Sequence, residues 1–488
     1  MEKLPVSKIE ENYIYIIGLC GIYGIIFTFC LYENLYGITF PVYVAAMIFT
    51  AVLFLKKTGI IIQKNFFLYA FGMILLGIST VMTSNGFFHF FNWVGILLLY
   101  MTAMMQQLNQ GRDWGFEKYL KNIILLCAKT IVSIFTPIMH GIRYKKSRMN
   151  EKESKIMKPV IIGLLTAAVF LIFVLPLLVY SDKIFAQYFG KILEVFKFYT
   201  ELKILFTFLL GSVMLYAFFT ALSGINFIDS GEKKEASINP VTGITFSGIL
   251  AAVYVFYSVI QILFLFLRLE SGLPYGVTYS EYAHAGFWQL LGVSLINFVT
   301  VLVCKAIFKE NKTLKILLLI ISICTCIMAL SAFYRMVLYV NVYHLTFLRI
   351  LVLWFLGMMI FIMLGVMWSI FKVNFPLFKY IMVVVSTVYI LLSFAKVDKI
   401  IVEYNISHWG KVTSEDTMYL MYEVSLDAAP AIAQLHLEEG KDNTSYTDSE
   451  IEMYFSNIRA RENSGRKWNF SIALAKKAAD EYFDKISK

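Results

Sequence analysis

Charge is scarce in this chain. Only 16% of its 488 residues are Asp, Glu, Lys or Arg, while 59% are hydrophobic and 16% aromatic; soluble domains run at about 25% charged and roughly 45–50% apolar. That shortage excludes a soluble globular protein and points to an all-α membrane protein. Cysteine is also sparse and unpatterned. Cys20, Cys30, Cys127, Cys304, Cys324 and Cys326 sit in or beside apolar segments with no CxxC pair, which argues against structural metal and disulfides. The signatures HExxH, GxSxG and GxxxxGK[ST] are missing, so no metalloprotease, nucleophile-elbow or P-loop chemistry is indicated. The first external loop offers one acid, Glu33, which counts against a multi-span lipid-linked glycosyltransferase. Nothing calls for a cofactor.

What is present is apolar length. The mean hydropathy is +0.70, and about 20 apolar residues suffice for a span. Eleven segments qualify: Tyr13 to Leu31, Ile38 to Leu55, Phe66 to Met82, Phe87 to Met105, Pro159 to Tyr180, Ile204 to Leu222, Ile244 to Leu267, Gly286 to Ala306, Ile316 to Phe333, Thr346 to Ile370 and Phe378 to Phe394. The first is too long for a signal-peptide core and lacks a small-x-small cleavage site, so it is expected to stay as an anchor. Gly18, Gly21 and Gly24 line up along it, a pattern that permits close helix packing.

The net charge of +10 does not indicate nucleic acid. Lys and Arg collect in short loops between apolar runs, where they orient helices in the bilayer. Lys56, Lys57 and Lys64, then Arg112 and Lys118, mark cytoplasmic loops; the loops around Glu33 and Asn85 lack basic residues and are expected outside. The loops with Lys233 and Lys234, with Lys305 to Lys315, and with Lys372 and Lys379 continue the cytoplasmic set. The N-terminus is then inside and the C-terminus outside a bacterial cell membrane. The connector from Ser181 to Lys203 is the weak point, placed outside although it carries four lysines.

One apolar segment breaks the alternation. Tyr119 to His140 has basic residues at both ends and Lys121, Lys129 and Pro137 within it. It is read as an amphipathic helix in the inner interface, with the basic linker to Lys158 held near anionic headgroups. The alternative is an ordinary span with Lys129 facing the bundle. Residues 1–395 thus form the membrane domain. Residues 396–488 form a small, net acidic, mainly helical domain expected outside and docked on the membrane part, available to an extracytoplasmic protein partner. In it, Asp427 to Leu437 reads as a short helix, Gly440 to Ser449 as a loop, and Phe470, Leu474, Ala478 and Tyr482 mark a final amphipathic helix.

Polar residues near hydrocarbon concentrate between Tyr254 and Asn297. Tyr254, Tyr257, Gln261 and Arg268 share one helical stripe, and Gln289 and Asn297 lie at i and i+8 on the next span. The two faces are expected to meet, with Glu281 and His284 at the entrance and Arg335, Tyr339 and Arg349 at the same outer level. This outlines a mostly basic cup suited to a phosphate or carboxylate group through arginine forks. The competing explanation is packing: Arg268 pairs with an acid while the amides stitch helices together.

The chain resembles a family of bacterial polytopic proteins, domain of unknown function 4173, with a sister group numbered 4153. The resemblance rests on LPLLVYSDKIFAQYF from Leu175, GVTYSEYAHAGFWQLLGVSLIN from Gly276, YRMVLYVNVYHLTFLRI from Tyr334, VEYN at Val402, SLDAAPAI from Ser425 and RKWNFS from Arg466. Two positions depart from the family pattern: His284 stands where arginine is usual and Gln289 where glutamate is usual. The resemblance implies a membrane fold and no activity. Three function classes stay open, in this order: an envelope accessory or sensor, a transporter of a small anionic solute, and a membrane enzyme acting on a lipid or envelope precursor.

Overall fold

Several helix starts are written locally. Asn239 accepts from the Val241 N–H at 3.0 Å with Pro240 next in line, and Asn311 accepts from Thr313 and Leu314 at 2.8 and 3.4 Å. Asn469 accepts from Ser471 and Ile472 at 2.9 and 3.3 Å. In each case a side-chain amide oxygen satisfies first-turn donors that have no partner inside the helix.

The computed structural model describes residues 6–108, 114, 116–146, 177–198, 200–225, 238–266, 279–372, 375–408, 414–434 and 444–486, with isolated positions from 163 to 175. Among these the chain is all-α. The helices are α1 (Val6–Glu11), α2 (Tyr13–Leu31), α3 (Phe40–Lys57), α4 (Asn65–Met82), α5 (Gly86–Leu108), α6 (Phe116–Val132), α7 (Thr136–Lys146), α8 (Lys183–Phe198) and α9 (Thr200–Gly224). They continue as α10 (Pro240–Ile260), α11 (Tyr279–Ile307), α12 (Lys312–Tyr343), α13 (Phe347–Phe371) and α14 (Leu377–Phe394). The tail holds α15 (Val397–His408), α16 (Ser414–Tyr422), α17 (Ala429–Ile432), α18 (Thr444–Ala460) and α19 (Phe470–Ile486). Among the described residues, eleven helices are long and apolar enough to cross a membrane: α2 to α5, α9 to α14, and the continuous stretch Lys118–Tyr144. The chain is a multi-pass membrane protein.

Contacts sort the helix ends into two levels. At one, Lys8 Nζ reaches the Thr58 carbonyl at 3.4 Å and the Gln63 N–H reaches Gln107 Oε1 at 2.7 Å, joining the start of α2 to the ends of α3 and α5 and the start of α4. This level holds Lys56, Lys57, Lys64, Lys372 and Lys379 and is the basic end. At the other, Asn34 bonds Thr39 Oγ1 at 2.8 Å, and Ser79 Oγ donates to the Ser393 carbonyl at 3.1 Å. α9 runs antiparallel to α2: Gly24 lies against Phe208 and Ser212, and Lys203 Nζ is 4.0 Å from Glu33. Gly18 and Gly21 face open space, so only one of the three aligned glycines admits a helix.

The stretch Lys118–Tyr144 does not follow its neighbours from end to end. Tyr119 stacks on Phe378 at 3.7 Å between centroids, and Cys127 Sγ lies 3.7 Å from Met101 Sδ. Lys129 Nζ reaches the Gly224 carbonyl at 3.2 Å, and Tyr13 Oη donates to the Pro137 carbonyl at 3.3 Å. His140 Nδ1 is 2.9 Å from Tyr216 Oη, and Arg143 pairs with Glu10. Glu10 lies in α1, and the other partners lie in the halves of α2, α5, α9 and α14 nearest the basic end. Both ends of this stretch therefore pack at the basic end, although its length would suffice to span. The expected span Pro159 to Tyr180 lies largely outside the described residues.

The tail sits on the other end, here the tail end. Its core joins Val402, Leu420, Ile432, Ile451, Phe455, Ile458, Ala475 and Ala479. Helix α18 begins at Thr444, inside the segment expected as a loop to Ser449, because Ile451, Phe455 and Ile458 recur at helical spacing and carry the preceding turn with them. On α19 the buried residues include Ile472, Ala475, Ala478 and Ala479; of the expected line Phe470, Leu474, Ala478 and Tyr482, Ala478 is in the tail core and Tyr482 packs against it. Phe470 instead lies under Lys396, whose Nζ is 4.8 Å from the ring centroid. A separate cluster of Phe88, Val340, Leu345, Leu392, Val397 and Ile401 ties α5, α12 and α14 to the first helix of the tail.

Candidate functional site

The bundle brings part of the predicted cup together. Gln261 opens a π-helical turn, Gln261–Phe266, that continues α10; such turns recur at functional sites in helical proteins. Its Oε1 accepts from Ser331 Oγ at 2.6 Å and from Arg335 Nη2 at 3.1 Å. Ser331, Arg335 and Tyr339 are spaced by four on α12 and so share a face. Arg335 is only 8% exposed, a buried guanidinium two turns inside a spanning helix, where charge is costly and is placed for a reason. One turn outward, Arg349 stacks its guanidinium over the Tyr339 ring at 4.5 Å and donates to the carbonyls of Tyr343 and His344. His344 ends α12 with a φ of 63°, a left-handed conformation that frees those carbonyls for capping.

Of the other predicted members, only Gln289 and Asn297 have described side chains, and neither joins it. Arg268 lies outside the described residues, and Glu281 and His284 are described only as backbone positions of α11. Gln289 is exposed, and Asn297 donates to Thr325 Oγ1 of α12 at 3.0 Å. The buried amides Gln261 and Asn297 therefore face α12, not each other. The reason is packing: α12 lies against both neighbours, and each buried amide bonds the nearest hydroxyl on it.

A second polar centre, which sequence reasoning missed, lies where the tail meets the tail end. Asp427, 4% exposed, accepts from Thr83 Oγ1 at 2.5 Å, from the Ser84 N–H at 3.1 Å and from the Ser84 and Ser471 hydroxyls. Asp398 accepts from Asn85 Nδ2 at 2.7 Å and from the Ser425 N–H at 3.2 Å. Burial pushes the Asp398 carboxyl above the ordinary range, with the Ser425 and Asn85 bonds opposing and Asp427 adding to the rise. Burial also lowers the Lys396 ammonium, against the pull of Asp427.

Asn469 completes this centre. Besides capping α19, its Nδ2 donates to the carbonyls of Tyr36, Thr80 and Thr83 at 3.1, 3.4 and 3.1 Å. The Ile38 N–H reaches the Trp468 carbonyl at 2.8 Å, and a Cβ on Gly37 would collide with the Arg466 carbonyl. Only glycine admits so close an approach of two backbones. Beside the junction a cleft of about 360 Å³ is lined by Ser84, Ser425, Tyr454, Asn457 and Arg461, among others. Among the described residues, no group of three or more His, Cys, Asp and Glu is placed to hold a metal ion.

A third clamp couples the two centres. Asn405 of α15 accepts from the Leu345 N–H and donates to the Leu345 carbonyl, one residue beyond His344. A family model, Domain of unknown function (DUF4153), matches residues 70–435, three quarters of the chain. The chain belongs to this family. The resemblance to group 4173 is thereby corrected: the matching family is DUF4153. The DUF4153 segment contains Gln261, Arg335, Arg349, Asp398, Asn405 and Asp427, whereas the RKWNFS motif with Asn469 and Ser471 lies beyond it. No curated protein and no solved structure matches the chain.

Proposed function

We propose that this DUF4153 protein is an accessory or sensor component of a bacterial cell membrane, with its N-terminus inside and residues 396–488 outside. Basic loops are retained in the cytoplasm, and the basic end carries Lys56, Lys57, Lys64, Lys372 and Lys379, which supports this orientation. The ligand it senses is an anionic group, phosphate or carboxylate, received at Arg335 and Arg349 beside Gln261 and Tyr339. The observation that carries the reading is the Asn405 clamp on Leu345. It joins the end of α12, which holds Arg335, to the first helix of the tail, so a shift of α12 on ligand binding reaches the tail directly. An extracytoplasmic protein partner then reads the tail, where Met418, Tyr422 and Met453 are exposed.

The test is hydrogen exchange of the α15 amides in reconstituted vesicles, with inorganic phosphate added or with phosphatidylglycerol in the bilayer. The reading expects altered exchange in the wild type and none in Arg335→Gln. Unchanged wild-type exchange with both probes contradicts it.

A second reading, transport of a small anion, is favoured by the depth of Arg335 within α12 and by the π turn opposite it. Uptake of labelled phosphate into proteoliposomes would place it first.

A further inference from the structure

A groove on the membrane surface lies apart from both polar centres. It runs between α4 and α14, with a volume of about 380 Å³, and is lined by Leu68, Phe71, Gly72 and Leu75 on one wall and Met382, Val383, Ile390 and Leu391 on the other, with Leu99 behind. Leu68, Phe71, Val383 and Leu391 are exposed, so the groove opens outward from the bundle toward lipid.

Three features restrict the occupant. The lining begins at Asn65 and Lys379 and ends at Leu75 and Leu391; at about 1.5 Å per residue this is roughly 15 to 18 Å. A single leaflet contributes half of a hydrocarbon core about 30 Å thick, so the groove matches one leaflet in length. Its lining is apolar apart from Tyr69, Ser386 and Thr387 beyond the mouth, and Tyr69 Oη already accepts from Gln106 Nε2 at 2.8 Å. The mouth is basic: Lys379 lines it, and Lys64, exposed, directly precedes Asn65. Basic recesses between spanning helices at this level bind anionic headgroups.

We propose that the groove is a binding site for one anionic phospholipid of the leaflet at the basic end. One acyl chain lies between α4 and α14, and the headgroup phosphate sits at Lys379 and Lys64 with the Asn65 amide beside it. The chain supplies the burial and the two lysines supply the selectivity. A free anion would occupy the mouth without the groove, and a second copy of the protein would exclude the lipid.

The experiment is native mass spectrometry of the full chain released from nanodiscs of phosphatidylcholine and phosphatidylglycerol. The wild type should retain one phosphatidylglycerol, enriched about 30-fold over its share of the bilayer, the effect of two lysines at a membrane surface. The double variant Lys64→Gln/Lys379→Gln should retain one lipid without preference. Ser386→Trp and Gly72→Leu, which fill the groove from opposite walls, should each lose the retained lipid; if one does not insert, the other decides. Retention in the bulk lipid ratio by the wild type overturns the proposal. So does wild-type occupancy in either filled variant, or a lipid-free dimer.

Discussion

Asn405 holds the backbone of Leu345 from both sides: the Leu345 N–H donates to Asn405 Oδ1 at 2.8 Å, and Asn405 Nδ2 donates to the Leu345 carbonyl at 2.9 Å. Both residues are buried, so no water replaces a lost bond. Asn405→Ala should destabilise the attachment of α15 to the end of α12 by about 1–3 kcal/mol, the cost of leaving buried backbone groups unpaired. Faster hydrogen exchange in α15, with α4 and α5 unchanged, is the expected result.

Asp427 gathers donors from Thr83, Ser84 and Ser471, residues of the bundle and of α19. Asp427→Ala removes the acceptor they share, and we expect limited proteolysis to release the tail at lower protease concentration than in the wild type. Asp427→Asn should fall between the two, since its amide keeps one acceptor oxygen. Equal protease resistance in all three proteins would show that the carboxylate does not hold the junction.

Gly37→Ala tests the same junction from the loop side. The added methyl meets the Arg466 carbonyl and the Asn34 side chain, which are bonded to each other at 2.8 Å, so relieving the clash strains the contact between loop and tail. The variant should insert normally and lose tail protection between Arg466 and Ser471 in hydrogen exchange. Full protection would mean the loop and the tail backbone do not meet this closely.

Acid should strengthen the junction before it weakens it. The native Asp398 value lies above the ordinary 3.8, so between 3.8 and that value the folded protein holds more protons than the unfolded chain. Stability from this group therefore falls as pH rises through the window and is regained on acidification. In Asp398→Asn, whose amide oxygen can still accept from Asn85 and Ser425, that pH dependence should be lost from thermal unfolding of the tail. An identical pH profile in both proteins would contradict the assignment.

The described spans other than Lys118–Tyr144 were legible because each is a local matter of apolar length. The positions of Gln261, Arg335, Tyr339 and Arg349 were legible too, since polarity inside an apolar run stands out. The meeting of α10 and α11 was misjudged because helical periodicity says which residues share a face and not which helix that face meets. The junction was invisible for a different reason. Thr83, Asn85, Asp398, Asp427 and Asn469 are single polar residues in short connectors or at helix starts, far apart in sequence, and each reads as an ordinary turn or cap. The SLDAAPAI and RKWNFS motifs marked the right segments without revealing that they converge.

The account rests on the tail and the basic end lying on opposite sides of the membrane. Lys477 of α19 and Lys57 of α3 are both exposed, and the native cysteines are buried or partly so, which makes the wild type a suitable blank. A membrane-impermeant maleimide applied to intact cells should label Lys477→Cys at once and Lys57→Cys only after lysis. Labelling of Lys57→Cys in intact cells with Lys477→Cys protected would invert the topology, and the outward-facing sensor would go with it.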